Sequence, residues 1–446
     1  MPSIATLSIA MSGLRAQQQA MDITAHNVAN ASTPGYHRQE VLFMPGAGAT
    51  SQVATGVAIQ TIKRLQSDYV DQQTRTLQSW LGCWEYSKET LQQVEAVLSE
   101  PGGLGLSTYL SRFTNAWEAL SAAPNDESAK DAVVEAGIAL TDRFHALFQS
   151  FRDIQSGADR GIVDNASQIN QLAHEVAALN EQIGKAAVNA YPANDLMDQR
   201  DALLDKLSNL AGVQIFGMSG AEPTVCISGK ALVQGTHVNE ITVQQGANGW
   251  SELVWAEGGS PVEITGGQIA GQIQIRDEVV AGYIEALDQI AGALASGVNA
   301  LHSTGTTADG SPAGNFFSTG ATAASIQVEV DASGIATSVS GEPGDNGLAI
   351  EIAAALKEDP AINGEYSRLV GTIGTDSREA MSRVNTYDLS LKQLEVQRES
   401  VSGVSLDEEM LNMIKYQQAY NACARVVTSI DEMLDTIISR MGIVGR

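Results

Sequence analysis

Three aspartates on one predicted helix are the residues best placed for metal chemistry. In NDLMDQRDALLDKL (194–207), Asp198, Asp201 and Asp205 recur in steps of three and four and therefore share one helix face. Carboxylate oxygens are the ligands that hard divalent cations prefer. The alternative is a solvated face, on which Arg200 and Lys206 balance the charge while the leucines turn to the core. We favour the solvated face and predict no metal site and no cofactor.

Two glycine-containing stretches were candidates for phosphate binding or nucleophilic catalysis. SGKA (228–231) has Ala231 where a phosphate-binding loop needs Ser or Thr to bind magnesium. GMSGA (217–221) lacks the second glycine of a nucleophile elbow, and a hairpin turn is the simpler interpretation. The six histidines are separated from each other and from acids at any ligand spacing. We therefore predict no catalytic residues and a protein that is not an enzyme.

Composition narrows the classes of partner. The chain has 446 residues and a net charge of −26, which argues against nucleic acid and against anionic membranes. Acids and bases nearly balance at both ends, so the negative charge belongs to the middle of the chain. The three cysteines are too scattered for a disulfide framework. No apolar run is long enough to span a bilayer and no basic, apolar leader is evident, so we expect any export to proceed without a cleaved signal peptide.

Apolar residues recur at helical spacing near both ends of the chain. The N-terminal seam consists of Ile4, Leu7, Met11, Leu14, Met21 and Val28. The C-terminal seam consists of Leu406, Met413, Tyr416, Tyr420, Val427, Ile430, Leu434 and Ile437. Because neither helix can bury its stripe alone, we expect the two to pair as a coiled coil or to pack on neighbouring subunits. These residues are the predicted assembly seam.

A turn motif ends the first of these helices near residue 30. Its members are Asn27, Asn30, Pro34, Gly35 and Tyr36, within HNVANASTPGY. Pro34 disfavours helix at the preceding residue, and Gly35 permits a positive φ. Asn27 and Asn30 can satisfy backbone groups at the helix end or contact neighbouring subunits.

The sequence predicts a mainly α protein with an inserted β domain. Helical periodicity covers 67–99, 107–122, 126–155, 162–183, 194–210, 277–302 and the chain from about 376 onward. Residues 213–264 instead alternate short β-branched runs with Gly, Asn and Pro turns, and 325–330 is a weaker β pattern. The expected domains are a terminal coiled coil (1–45 and 400–446), a helical bundle (46–212 and 265–399) and the inserted β domain (213–264).

Several stretches resemble one known family. HNVANASTPGYHRQEV (26–41), which follows MSGLRAQQQAMDI (11–23), resembles the N-terminal signature of the bacterial flagellar axial proteins, which are the rod, hook and hook-associated proteins. VSLDEEMLNMIKYQQAYNACARVVTSIDEMLDTII (404–438) resembles their C-terminal helix. The interior segments 194–215, 228–235, 264–280 and 298–317 are similar to the hook-associated members.

The resemblance implies a structural subunit of the flagellum that polymerises between hook and filament, with its terminal helices lining the inner tube. It implies four partners: the hook protein, the second hook–filament junction protein, copies of the chain itself, and a cytoplasmic export chaperone at the C-terminal helix. It also implies an extracellular location. Two alternatives remain open, namely another axial protein of the hook or rod and a cytoplasmic coiled-coil scaffold.

Overall fold

The computed structural model describes residues 4–46, 56–100, 102–103, 105–188, 193–217, 222–340, 342 and 344–440. Its helices are α1 (Ile4–Ala29), α2 (Asp68–Leu98), α3 (Leu106–Ala122), α4 (Glu127–Val188), α5 (Asn194–Leu210), α6 (Gly267–Gln274), α7 (Val280–His302), α8 (Gly347–Glu358), α9 (Glu365–Ser402) and α10 (Leu406–Arg440). Its strands are β1 (Gln39–Pro45), β2 (Val57–Arg64), β3 (Val213–Phe216), β4 (Thr224–Ile227), β5 (Lys230–Gln234), β6 (His237–Val238), β7 (Ile241–Gln245) and β8 (Ser251–Trp255). Helices account for 67% of the structure, which confirms a mainly α fold with inserted strands.

Helices α2–α9 form a bundle with two large apolar cores, of which the larger lies among α2, α3, α4, α7, α8 and α9. Phe113 and Trp117 of α3 pack at its centre against Phe316 and Phe317, which follow α7. All four side chains are fully buried. Because each ring removes a large apolar area from water, these aromatic residues fix how α3 and the segment after α7 lie together.

The longest helix, α4, has 62 residues and covers both of the helices predicted over 126–155 and 162–183. The apolar stripe is interrupted between Phe151 and Ile162, but Gln155 and Ala158 keep the buried positions at helical spacing. The Gln155 side chain is satisfied there, because its Nε2 donates to the Arg276 carbonyl at 2.7 Å. A polar residue in the stripe therefore does not end the helix when a bonding partner is present.

The helix predicted over 277–302 begins upstream of residue 277 in the structure. It continues upstream through a single π-helical turn, Ile275–Val279, into α6. Helix α6 also approaches α2 closely. Gly271 of α6 allows this contact, because a Cβ at that position would lie 2.5 Å from the Cys83 carbonyl oxygen of α2. None of the helices in the described part of the chain has both the length and the hydropathy to cross a membrane.

The strands of the predicted β insert form a four-stranded antiparallel sheet, β3-β4-β5-β6, and a separate hairpin, β7-β8. The chain leaves and re-enters the bundle at one place, because the Gly212 N–H donates to the Gly266 carbonyl at 3.0 Å. The described residues of the insert share their core with the bundle. Val225 and Leu232 share one apolar cluster with Ile169 of α4 and Leu204 of α5.

Three further features differ from the sequence prediction. The β1–β2 hairpin was missed, because the connection between Pro45 and Val57 is longer than the two-residue turn that marks a hairpin in a sequence. Residues 325–330 are not a strand, since only an isolated bridge joins Val328 to Phe317. The short helix α8 was also missed, although its Leu348 and Ile352 are fully buried.

Candidate assembly interface and its connection to the bundle

Helix α1 packs along α10 and on the β1–β2 hairpin, and its buried residues in this part are small. Ala10, Gly13, Ala16 and Ala20 are the buried positions along this part of α1. At Gly13 a Cβ would come within 2.9 Å of the Cys423 Sγ of α10, so glycine permits the close approach. Small residues at three- and four-residue spacing were the signal for this face, and a search for large apolar residues overlooks it.

The large apolar residues of the predicted seam are divided between exposed and partly buried positions. Met11, Val28, Leu406 and Leu434 are exposed, with Leu406 at 53% and Leu434 at 41% of full accessibility. Leu7, Leu14, Met21, Met413, Tyr416, Tyr420 and Val427 are half-buried, and Ile430 is buried. The side chains of Ile4 and Ile437 lie outside the described residues. The seam and the coiled-coil geometry of the pair remain predictions.

The predicted turn motif is organised around Asn27. Its Nδ2 donates to the Gln39 carbonyl at 2.8 Å, and the Gln39 N–H donates back to Asn27 Oδ1 at 3.0 Å. The Tyr36 hydroxyl donates to the same Oδ1 at 2.7 Å. Burial raises the pKa of Tyr36, so its hydroxyl remains a donor at neutral pH. The motif thus bonds the end of α1 to the first residue of β1.

The other members of the motif act on the backbone of the turn. Asn30 lies at the end of α1, where its backbone N–H and its Nδ2 both donate to the His26 carbonyl, at 3.1 and 3.0 Å. Gly35 has φ +77°, a conformation that favours glycine. Pro34 is exposed beside it. The part that this motif plays in assembly remains a prediction.

Arg38 connects this turn to the start of α10. Its Nε donates to Glu409 Oε1 at 2.7 Å, and its Nη1 donates to Glu408 Oε2 at 2.7 Å. Glu409 is only 2% exposed and also accepts from Asn27 Nδ2 at 3.1 Å. A buried carboxylate therefore receives both a guanidinium and an amide, which satisfies its charge and its lone pairs.

The aspartates predicted to form a solvated face are instead part of a buried ionic layer. We define the ionic layer as His37, Arg64, Asp71, Arg75, Asp198, Asp201, Asp205 and Arg398. Asp198 and Asp201 are buried on α5, and Arg64 Nη1 donates to both, at 2.6 and 2.9 Å. Burial raises the pKa of Asp71, against the opposing charge of Arg398. The solvated interpretation is wrong because arginines distant in sequence cover this face.

His37, for which the sequence predicts no acid at ligand spacing, is brought by the fold to an aspartate of α5. His37 Nδ1 lies 2.8 Å from Asp198 Oδ1, and the His37 N–H donates to Asp198 Oδ2 at 3.2 Å. Ligand atoms of His37, Asp198 and Asp201 lie within 4.8 Å of one another, a spacing that suits a metal. The Arg64 guanidinium already bonds both carboxylates, however, so a cation there would face a fixed positive charge. The arrangement is that of charge pairing rather than of ligation.

The glycine-containing stretch SGKA lies in a hairpin turn. Ser228 and Gly229 link β4 to β5 with positive φ angles of 47° and 82°. No helix follows the turn, so it lacks the helix N-terminus that binds phosphate in a phosphate-binding loop. For the other stretch, GMSGA, residues 218–221 lie outside the described residues.

Comparison with protein-family models separates the ends of the chain from its middle. Residues 7–37, which hold most of α1 and the turn motif, match the model described as flagella basal body rod protein. Residues 397–440 match the flagellar basal body rod FlgEFG protein C-terminal model. Residues 91–317 match the model described as flagellar hook-associated protein FlgK helical domain.

A full-length relative decides the assignment. The flagellar hook-associated protein 1 of Bacillus subtilis is 31% identical, over 99% of this chain and 99% of its own length. The chain belongs to the flagellar hook-associated protein 1 family. It is therefore a structural component of the bacterial flagellum and not an enzyme.

Two further comparisons agree with membership of the flagellar hook-associated protein 1 family. The protein of that name from Salmonella typhimurium is 23% identical, over 96% of this chain and 98% of its own length. A solved structure titled as the flagellar hook junction protein FlgK from Burkholderia pseudomallei has a similar fold, with a TM-score of 0.52 and 24% identity. That match covers 55% of this chain and 46% of the other.

Proposed function

We propose that this chain is the subunit of the hook–filament junction, polymerising with copies of itself between the hook protein below and the second hook–filament junction protein above. One observation carries the proposal. The α1–α10 pair packs closely at Gly13 and leaves large apolar residues, such as Met11 and Leu434, exposed. Exposed apolar surface of this kind marks a face that another protein covers.

The apolar residues outside the pair supply the driving force for assembly. In addition to the seam residues, Ile9 on α1 and Met410, Leu411, Ile414, Val426 and Met433 on α10 are exposed. Covering one such side chain completely is worth about 1.5–3 kcal/mol. Several of them on each subunit suffice to offset the loss of freedom that a subunit suffers on joining a polymer.

Charge supports a radial order in which the terminal helices lie innermost. The ends are nearly neutral and so can crowd together, whereas the acidic middle of the chain favours solvent. The proposed domains follow this order. The terminal domain (1–45 and 400–446) lines the tube, the bundle (46–212 and 265–399) surrounds it, and the β domain (213–264) lies outermost.

Export completes the proposed function. Before assembly the exposed apolar face of α10 needs a cover, and a cytoplasmic export chaperone on the C-terminal helix would provide it. The subunit then travels to its extracellular position on the flagellum. The exposed fraction of Leu411, at 68%, shows how much of this face the chain itself leaves uncovered.

The decisive experiment is localisation by electron microscopy. An epitope tag inserted after Gly258, in the exposed turn that follows β8, should be decorated by gold-labelled antibody at the boundary between hook and filament. A deletion strain should carry hooks without filaments and should recover filaments when the tagged chain is supplied. Label along the whole hook or on the rod would identify another axial protein, and label confined to the cytoplasm would identify a scaffold.

A further inference from the structure

The β7–β8 hairpin is attached to the rest of the protein differently at its base and at its tip. At the base, Ile241, Leu253 and Trp255 are buried in the apolar cluster that includes Ile169 of α4. Toward the tip, residues 242–245 of β7 are exposed. The hairpin forms a sheet of its own, apart from β3-β4-β5-β6, and an isolated two-stranded hairpin is only marginally stable in water. The tip therefore depends on contacts other than apolar burial.

A cluster of polar and aromatic side chains lies where the hairpin tip meets the bundle. We define the tip cluster as Arg152, Asp159, Trp250, Ser251 and Arg276. Asp159 of α4 accepts from the Ser251 N–H and from the Ser251 hydroxyl, both at 2.9 Å. Arg276 Nη1 donates to Asp159 Oδ1 at 2.6 Å and to the Ser251 carbonyl at 2.9 Å. Both backbone polar groups of Ser251, at the start of β8, are thus bonded to side chains of the bundle.

Two arginines of the bundle lie over the indole ring of Trp250. The guanidinium carbon of Arg152, on α4, lies 5.0 Å from the ring centroid, and that of Arg276 lies 5.9 Å from it. A cation within about 6 Å of an indole face is attracted by the negative charge of that face. Because Trp250 immediately precedes β8, this attraction holds the tip of the hairpin against the bundle.

The π-helical turn Ile275–Val279 contains Arg276 and restrains its side chain. Single π turns within helices often occur at functional positions. The Arg276 carbonyl accepts from Gln155 Nε2 of α4 at 2.7 Å, and its guanidinium donates to Asp277 at 2.7 and 2.8 Å as well as to Asp159. Arg276 is only 4% exposed. A buried, planar guanidinium that bonds two carboxylates has little freedom to turn.

The tip cluster lies at the boundary between the two apolar cores of the bundle. Along α4, Phe151 belongs to the larger core and Ile162 to the smaller one, and Gln155 and Asp159 lie between them. The hairpin tip is therefore bonded to the part of α4 where apolar packing is interrupted. Directional contacts replace non-directional burial at this position.

We propose that the tip cluster is a latch, which holds the tip of the β7–β8 hairpin on α4 and whose loss lets the tip open while the base of the hairpin and the four-stranded sheet stay folded. The inference goes beyond the proposed function, since it concerns a motion within one chain. Local opening of this kind has a lower free energy than global unfolding when few apolar contacts are broken.

The test measures amide hydrogen exchange in the monomeric full-length chain, resolved to single residues by mass spectrometry. The reporter for the tip is the Gly246 N–H, which donates to the Trp250 carbonyl at 2.8 Å across the turn. None of the substitutions tested removes that acceptor. The amides of β4 and β5 report on the four-stranded sheet.

Two substitutions break the tip cluster, and one serves as a matched control. Arg276→Gln removes the cation that bonds Asp159, and Asp159→Asn is the milder change because the Asp159 side chain is 19% exposed. The control, Lys230→Gln, removes a cation that lies 5.0 Å from the ring centroid of Trp255 at the base of the hairpin. Each cluster substitution should accelerate exchange at the tip reporter by about tenfold or more, whereas the control should leave it unchanged.

The outcomes separate the latch from a general effect on folding. Faster exchange at Gly246 in the cluster variants, with unchanged exchange in β4 and β5, supports the latch. Unchanged exchange at Gly246 in both folded variants overturns it, and so does an equal acceleration in Lys230→Gln. Acceleration in β4 and β5 to the same extent as at Gly246 also overturns it, because the tip would then not open separately. If Arg276→Gln does not fold, Asp159→Asn decides.

Discussion

Arg38 donates from Nε to Glu409 Oε1 at 2.7 Å, although the two residues lie 371 positions apart in the chain. The pair joins the turn after α1 to the first turn of α10. Because Glu409 is buried and also accepts from Asn27, the same carboxylate fixes the relative position of both terminal helices. Neither partner lies in the apolar seam, so this contact was not visible in the hydrophobic pattern.

The first prediction concerns this carboxylate. Glu409→Ala leaves Arg38 and Asn27 without their buried acceptor and should weaken attachment of α10 by about 2 kcal/mol, since Glu408 can still pair with Arg38. Hydrogen exchange of the α10 amides in the monomer should accelerate accordingly. Glu408→Gln is the control. The Glu408 side chain is exposed, so its substitution should change the free energy of exchange by less than about 1 kcal/mol. Equal effects of Glu409→Ala and Glu408→Gln on exchange would contradict the assigned role of Glu409.

The second prediction concerns the exposed face of the helix pair. Met11→Asp and Leu434→Asp place a charge on surface that assembly would bury. Each should reduce the free energy of assembly by about 3 kcal/mol per subunit. Both residues are exposed in the chain, so the circular dichroism of the monomer should not change. The fraction of cells that carry filaments should fall sharply. Gln19→Asp adds the same charge at an exposed polar position and should retain filaments, and normal filaments in the Met11 and Leu434 variants would refute the seam.

The third prediction is a pH dependence that arises from His302. Its Nδ1–H donates to the Gly314 carbonyl at 2.7 Å, and its Nε2 accepts from the Ala336 N–H at 3.2 Å, so the bonded ring is neutral. Burial lowers the pKa of His302 below its ordinary value of about 6.5. Below that value the unfolded chain binds a proton that the folded chain excludes, so the free energy of unfolding should fall as the pH falls.

Urea unfolding at about pH 7.5 and about pH 5.5 tests this assignment. In His302→Gln the loss of stability between the two pH values should be smaller than in the unmodified chain, because the titrating group is gone. His174→Gln provides the control, since His174 is exposed and pairs with Glu240 at the surface. The assignment fails if both variants keep the full pH dependence.

Sequence periodicity predicted the helices well where apolar spacing and chain breakers agreed. Helix α2 spans Asp68–Leu98 against a prediction of 67–99, and α5 spans Asn194–Leu210 as predicted. It failed where a polar residue entered a buried stripe, as Gln155 does in α4, because the acceptor for its side chain lies on a distant helix. Contacts between distant residues are not encoded in local spacing.

In the candidate site, too, features set by local sequence could be predicted, and contacts between distant residues could not. Asn30 and Gly35 were selected for local reasons and make local contacts, whereas Asn27 also bonds Glu409 at the far end of the chain, which local spacing does not reveal. The ionic layer was missed, because the arginines that cover Asp198 and Asp201 come from β2 and α2. A row of acids on one helix face gives the same pattern whether it meets water or arginine, and only the tertiary fold distinguishes the two.

The final prediction concerns the dependence of the bundle on the β insert. Leu232 of β5 is fully buried in the cluster that includes Ile169 and Leu204 of the bundle, so Leu232→Ala should lower the free energy of unfolding by about 2–5 kcal/mol. The whole bundle should unfold earlier as one transition, because the cluster belongs to both parts. Val243 of β7 is 38% exposed, and Val243→Ala should cost less than about 1 kcal/mol. Thermal unfolding followed by circular dichroism at the helical band measures both. A separate early transition in Leu232→Ala, with the helical transition unmoved, would show that the insert folds independently of the helices beneath it.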